Sequence, residues 1–137
     1  MASVAVEPTA ARAPLVEVPA TTDPLVSVVI VTYGPSPVVL EAISALRRHT
    51  REHPYEVLVV ANPAPTGRSS ELLRRSTSGV GLLEPDDNLG FAGGNNLGVA
   101  SARGELVALV NPDLIVTEGW LPPLVQALED PAVAVAA

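Results

Sequence analysis

Along most of the chain, short apolar runs alternate with stretches whose apolar residues recur at helical spacing. Leu25 to Thr32 (LVSVVIVT) is nearly continuous and rich in β-branched residues, the pattern of a strand buried on both faces. From Pro37 to His49 the apolar positions Val39, Leu40, Ile43 and Leu46 make one stripe, which predicts a helix. Ser36 is its candidate N-cap with Pro37 in the first helical position. Arg47, Arg48 and Arg51 sit at the end where the helix dipole favours cations. Glu56 to Ala61 (EVLVVA) predicts a second strand. Ser69 to Ser76 predicts a short helix, with Leu72 and Leu73 inward, and Gly79 to Leu83 a weak third strand. A loop is expected over Glu84 to Gly94, a helix over Asn95 to Ala102 and a fourth strand over Leu106 to Val110. Leu114 to Val116 reads as extended. Trp120 to Glu129 reads as a helix with Leu121, Leu124, Val125 and Leu128 on one face. Pro131 breaks it, and Val133 to Ala137 reads as the start of another strand, so the fold is expected to be incomplete.

Strand and helix in alternation predict an α/β fold, a mainly parallel Rossmann-like sheet with flanking helices and right-handed crossovers. Ligands on such sheets bind beyond the carboxyl ends of the strands. Three segments are expected to converge there: Thr32-Tyr33-Gly34, Ala61-Asn62-Pro63 and Asn111-Pro112-Asp113. Ahead of the sheet, Pro8, Pro14, Pro19 and Pro24 interrupt a stretch rich in Ala, Thr and Val. Residues 1–24 are therefore expected to form a flexible leader and residues 25–137 the α/β domain.

Composition narrows this picture. The 137 residues can bury a real core, and a hydrophobic share of 47% excludes general disorder. Aromatics are only 3%, so the core must be aliphatic. A formal net charge of −7 speaks against nucleic acid as a partner, since phosphate neutralisation needs a basic footprint. With no cysteine, disulfides, thiolate metal sites and Cys nucleophiles are excluded, and a reducing cytoplasm fits. No run approaches a membrane span, and the N-terminus lacks the basic-then-apolar pattern of a signal peptide.

Asp113 follows a strand and stands two residues after Asn111. A carboxylate in that place suits a hard divalent cation whose remaining ligands are substrate phosphates and water; it equally suits a turn cap after proline. The GFAGGNNLG stretch lets backbone approach a ligand closely, and it equally suits a tight turn into a helix. It does not match GxGxxG, and no Gly-Lys-Ser/Thr of a P-loop is present. Tyr33 can stack on a nucleobase or pack over the sheet edge. Trp120 is expected to cover the core. No GxSxG elbow supports a hydrolase triad. A phospho-receiver domain would need an acidic pair beside the first strand, and Val31-Thr32-Tyr33 supplies none.

Together, VSVVIVTY (Val26–Tyr33), EVLVV (Glu56–Val60), NLGFAGGNNLG (Asn88–Gly98), ARGE (Ala102–Glu105), NPD (Asn111–Asp113) and GWLPPLV (Gly119–Val125) resemble the family-2 glycosyltransferases, inverting enzymes of the GT-A fold. The NPD form with GFAGGNN upstream looks most like their rhamnosyltransferase-type branch. The resemblance implies the donor-binding half of an enzyme that transfers sugar from a nucleoside-diphosphate-sugar to a glycan or lipid-linked acceptor, in the cytoplasm or at the inner face of the membrane. It implies that Thr32 and Tyr33 border the base and that Gly93, Gly94 and Asn95 lie against the ribose and donor. Asn62, Asn88 and Asn111 complete the implied donor site, and Asp113 holds Mg2+ or Mn2+ on the diphosphate. Gly34 and Ala61 depart from the family pattern; the latter stands where the family has an Asp that reads the base. No residue here is matched to the family's general base, which leaves a catalytically inactive nucleotide-sugar-binding or partner-docking module as the alternative.

Overall fold

The structure, a computed structural model, describes residues 16–137. In chain order its elements are β1 (Val16–Glu17), β2 (Val26–Tyr33), α1 (Val38–His49), β3 (Tyr55–Asn62), α2 (Ser70–Ser76), β4 (Thr77–Ser78), β5 (Val80–Leu83), α3 (Gly90–Ser101), β6 (Leu106–Val110) and α4 (Leu121–Ala127). Four strands form a parallel sheet in the order β5-β3-β2-β6, and β1 pairs with β4 in a separate parallel ribbon. The two β-branched runs occupy the middle. They pair in register from Val26–Tyr55 to Tyr33–Asn62 and are buried throughout except at Tyr33. Chain order runs outward from β2 to β3 and β5 on one side and to β6 on the other. The direction of winding therefore reverses between β2 and β6, which places a crevice at their carboxyl ends.

Alternation along β2 and β3 sends successive side chains to opposite faces. On one face Val28, Ile30, Val57 and Val59 pack with Val39, Ile43 and Leu46 of α1 in an aliphatic core. On the other, Val29 and Val31 lie under α3. A Cβ added at Gly94 would stand 2.7 Å from Val31 Cγ1, and one added at Gly98 would stand 2.3 Å from Val29 Cγ1. These two glycines are one helical turn apart and face the same strand, so α3 rests almost directly on β2. The half-buried Trp120 packs against the core as expected, and its Nε1 donates to Thr50 Oγ1 at 3.0 Å, tying the start of α4 to the end of α1.

At the amino end of the strands a buried carboxylate gathers the chain. Glu56, 7% exposed, accepts from Ser27 Oγ at 2.6 Å, from the Arg103 amide at 2.8 Å and from Arg103 Nε at 2.8 Å. Ser27 Oγ in turn accepts from the Gly104 amide at 2.8 Å, and Arg103 Nη2 donates to the Thr21 carbonyl at 3.3 Å. Burial pushes the Glu56 carboxyl upward. The hydrogen bonds from Ser27 and Arg103, with the Arg103 charge, outweigh that and hold it below the usual carboxylate range.

Several expectations are corrected. The loop expected over Glu84 to Gly94 is helical from Gly90 onward. Neither Leu114–Val116 nor Val133–Ala137 forms a strand. Ser36 makes no capping hydrogen bond; Pro37 occupies the cap position of α1, where its missing amide costs nothing. Residues 1–15 of the expected leader lie outside the described residues. Within its remainder, Val16–Glu17 pairs with Thr77–Ser78 and Val18 is buried in the core. The outer edge of β6 carries no partner strand among the described residues, and Val107 and Leu109 are 38% and 55% exposed.

Gly98→Ala is expected to destabilise the fold by about 1–3 kcal/mol through overpacking on Val29. Urea unfolding would measure it, and the combination with Val29→Ala should cost less than the sum of the two. The depressed Glu56 carboxyl contributes stability that is fully present above its unfolded-state value and is lost as pH falls through its lower folded-state value. Arg103→Ala removes the guanidinium bond and charge but leaves the Ser27 hydroxyl and the backbone amide, so the carboxyl is held down less and the loss should begin at higher pH; unfolding curves across an acid pH series would show the displacement.

Candidate functional site

The carboxyl ends of β2 and β6 and the start of α3 enclose a cleft of about 420 Å³. β2 contributes Val31, Thr32 and Tyr33, and the turn after it contributes Ser36. The start of α3 contributes Asn88, Gly90 and Phe91, and the segment after β6 contributes Asn111 and Pro112. Asn62, at the end of β3, forms part of the wall.

The polar atoms of this wall fall into two groups. Thr32 Oγ1 shares a hydrogen bond of 2.6 Å with Ser69 Oγ and is buried. Asn62 is buried too. Its Oδ1 accepts from the Leu89 amide at 3.1 Å and its Nδ2 donates to the Gly90 carbonyl at 3.3 Å, which pins the first turn of α3 to the sheet. Asn88 Oδ1 accepts from the Gly90 amide at 2.9 Å. That turn needs the left-handed backbone of Gly90, at φ +68, and so the helix starts there. The second group is unengaged: the side chains of Ser36 and Asn111 make no hydrogen bond to other described residues.

Five of the nine candidate residues therefore line the cleft: Thr32, Tyr33, Asn62, Asn88 and Asn111. Asp113 is exposed, two residues beyond Asn111, and is not part of the wall. Gly93, Gly94 and Asn95 do not line it either. Gly94 and Asn95 are buried within α3, where Gly94 meets Val31 and Asn95 Nδ2 donates to the Phe91 carbonyl at 3.0 Å. Their small or internally bonded side chains let the helix sit on the sheet. The wall also includes Val31, Ser36, Gly90 and Phe91, none of them a candidate from the sequence, and Pro112 of the segment expected to converge there. Phe91 had one usable signal: it is the only phenylalanine in the chain and falls in a glycine-rich stretch, where core packing does not call for a large ring.

Among the described residues no three His, Asp or Glu side chains come together as a metal site. Asp113 and Asn111 suffice only for a cation that arrives with most of its ligands, as Mg2+ does with phosphates. No charged side chain lines the cleft, so its interior suits a neutral group; the exposed Asp113, next to the lining Pro112, would meet an anionic group only through a bridging cation. No helix of the described residues is long and apolar enough to cross a membrane.

Solved structures share this architecture. The mannosyltransferase PcManGT from Pyrobaculum calidifontis, solved in complex with GDP-Man and Mn2+, superposes with a TM-score of 0.66 at 25% identity, over 82% of this chain and 34% of its own. TarS from S. aureus gives a TM-score of 0.60 at 19% identity over 77% of this chain and 19% of its own; the likeness is one of fold. TarS 1-349 in complex with UDP gives 0.58 at 21% identity, over 77% of this chain and 32% of that one. The uncharacterized protein y4gI of Sinorhizobium fredii (strain NBRC 101917 / NGR234) is 30% identical over 114 residues, 80% of this chain and 12% of its own. The chain thus spans between about an eighth and a third of the length of these relatives. The sheet is of the GT-A type, and residues 27–137 match the sequence profile of glycosyl transferase family 2, the family to which the chain belongs.

Proposed function

We propose that this chain is the donor-binding part of a glycosyltransferase that moves a sugar from a nucleoside diphosphate to a glycan or lipid-linked acceptor, with inversion at the anomeric carbon. One observation carries the reading: an uncharged cleft at the switch point of the sheet, with a lone carboxylate, Asp113, just beyond its wall. The neutral base lies in the cleft, and the diphosphate lies over Asp113. Asp113, assisted by Asn111, would hold a divalent cation that arrives with the donor phosphates. When bound, that cation neutralises the charge that builds on the departing diphosphate. The acceptor hydroxyl attacks the anomeric carbon from the opposite face, the bond to the diphosphate oxygen breaks, and the hydroxyl proton passes to a general base. That PcManGT was solved with GDP-Man and Mn2+ supports this reading. A cytoplasmic location, with the acceptor met at the membrane face, belongs to the same proposal.

The cleft wall carries no carboxylate or imidazole, and Ala61 is fully buried where the family has an acid. These facts favour a second reading, a nucleotide-sugar-binding module without transfer. Calorimetric titration with UDP and GDP should show binding that needs Mn2+ or Mg2+, and Asp113→Ala should remove the metal dependence and weaken binding at least tenfold. Turnover of a nucleotide-sugar panel by the full-length protein would establish transfer; metal-dependent binding without turnover would establish the second reading.

A further inference from the structure

The chain has four aromatic residues, and they divide cleanly. Tyr55 is buried and Trp120 packs on the core. Tyr33 and Phe91 are 60% and 63% exposed, and both line the cleft described above. They reach it from different elements, the end of β2 and the first turn of α3. A single exposed aromatic needs no explanation. Two of four, converging on one cleft in a protein whose core is aliphatic, form a surface suited to a flat π-system.

The rest of the wall says how such a ring would be read. The side chains of Thr32 and Asn62 are already hydrogen-bonded within the protein. With Asn111 assigned to the cation, the side-chain groups that remain for a ligand edge are the hydroxyls of Ser36 and Tyr33 and the Nδ2 of Asn88. Hydroxyls and amides can both donate and accept, whereas an ionised carboxylate only accepts and so selects for a particular N–H. No carboxylate lines the cleft.

We propose that Phe91 is a ligand-positioning residue which, with Tyr33, holds the nucleobase by its faces, and that the site therefore tolerates different bases. This rests on the nucleotide-sugar reading above and adds to it a residue and a specificity. Face stacking is available to every base, because every base has a π-face. Discrimination would have to come from the edge, and the free hydroxyls there adapt to either polarity. Phe91 is held where it can act because Asn62 pins Leu89 and Gly90 just ahead of it.

The test is calorimetric titration of the chain with UDP, GDP, CDP and ADP in the presence of Mn2+. The proposal expects the four affinities to fall within roughly tenfold of one another. Phe91→Ala should weaken all four by about tenfold, the scale of one lost base–aromatic stack. Phe91→Trp should retain binding, and Phe91→Leu, apolar but without a ring, should not. Circular dichroism of the variants should be unchanged, because the side chain is exposed. A preference of a hundredfold or more for one base overturns the tolerance. Unchanged affinities in Phe91→Ala overturn the role of Phe91 while leaving the nucleotide-sugar reading standing. If Phe91→Ala weakens a nucleotide-sugar but not the corresponding diphosphate, the ring contacts the sugar and the proposal fails. Absence of binding by any of the four overturns this inference together with the reading beneath it.

Discussion

The close seat of α3 on β2 is the constraint that positions everything at the carboxyl end of the sheet. The helix carries four glycines in twelve residues. Each glycine in a helix interior costs about 1 kcal/mol relative to alanine, so this segment has little claim to helicity by itself. Tertiary contact must supply what propensity withholds. It does so because the missing side chains at Gly94 and Gly98 let the backbone settle against Val31 and Val29. Asn62 then fixes where the helix begins. Cleft, helix start and sheet are thus one mechanical unit, and the glycines belong to its foundation.

That arrangement explains which parts of the fold could be read from the chain and which could not. β2 and β3 were legible because a parallel strand buried on both faces has to be an unbroken β-branched run. α1 was legible because its apolar stripe is intact. The start of α3 was hidden: glycine at that density signals a loop locally, and only the nearness of Val29 and Val31 reverses the sign. The cleft shows the same division. Tyr33, Asn62 and Asn111 lie at strand ends, so knowing the strands was enough to bring them together. Gly94 needed a helix face, which the expected loop did not provide, and Asn95, at the start of the expected helix, spends its amide on the Phe91 carbonyl of a turn that was not foreseen. Phe91 sits in no periodic pattern at all. The order of the motifs, by contrast, was sufficient to reach the family that residues 27–137 match.

The two ends of the sheet are built on opposite physics. At the amino end a charged residue is buried and fully partnered, and Glu56 draws β2, β3 and the turn before β6 into one hydrogen-bonded knot. At the carboxyl end charge is absent from the cleft wall and much of the polar capacity is spent holding backbone. A low-dielectric, neutral wall strengthens any field from a cation placed at its rim. Rigidity at one end and unspent contacts at the other are what a binding scaffold requires.

The outer edge of β6 has a colloidal consequence. Its five residues, LVALV, include no charge and no proline, the usual devices by which an edge strand refuses company. A net charge of −7 opposes the approach of two such edges. That repulsion reaches only about 8 Å at physiological ionic strength, while strands pair at separations of about 5 Å. Wherever such an edge is left uncovered, added ions shorten the reach of that repulsion and bring strand pairing within range.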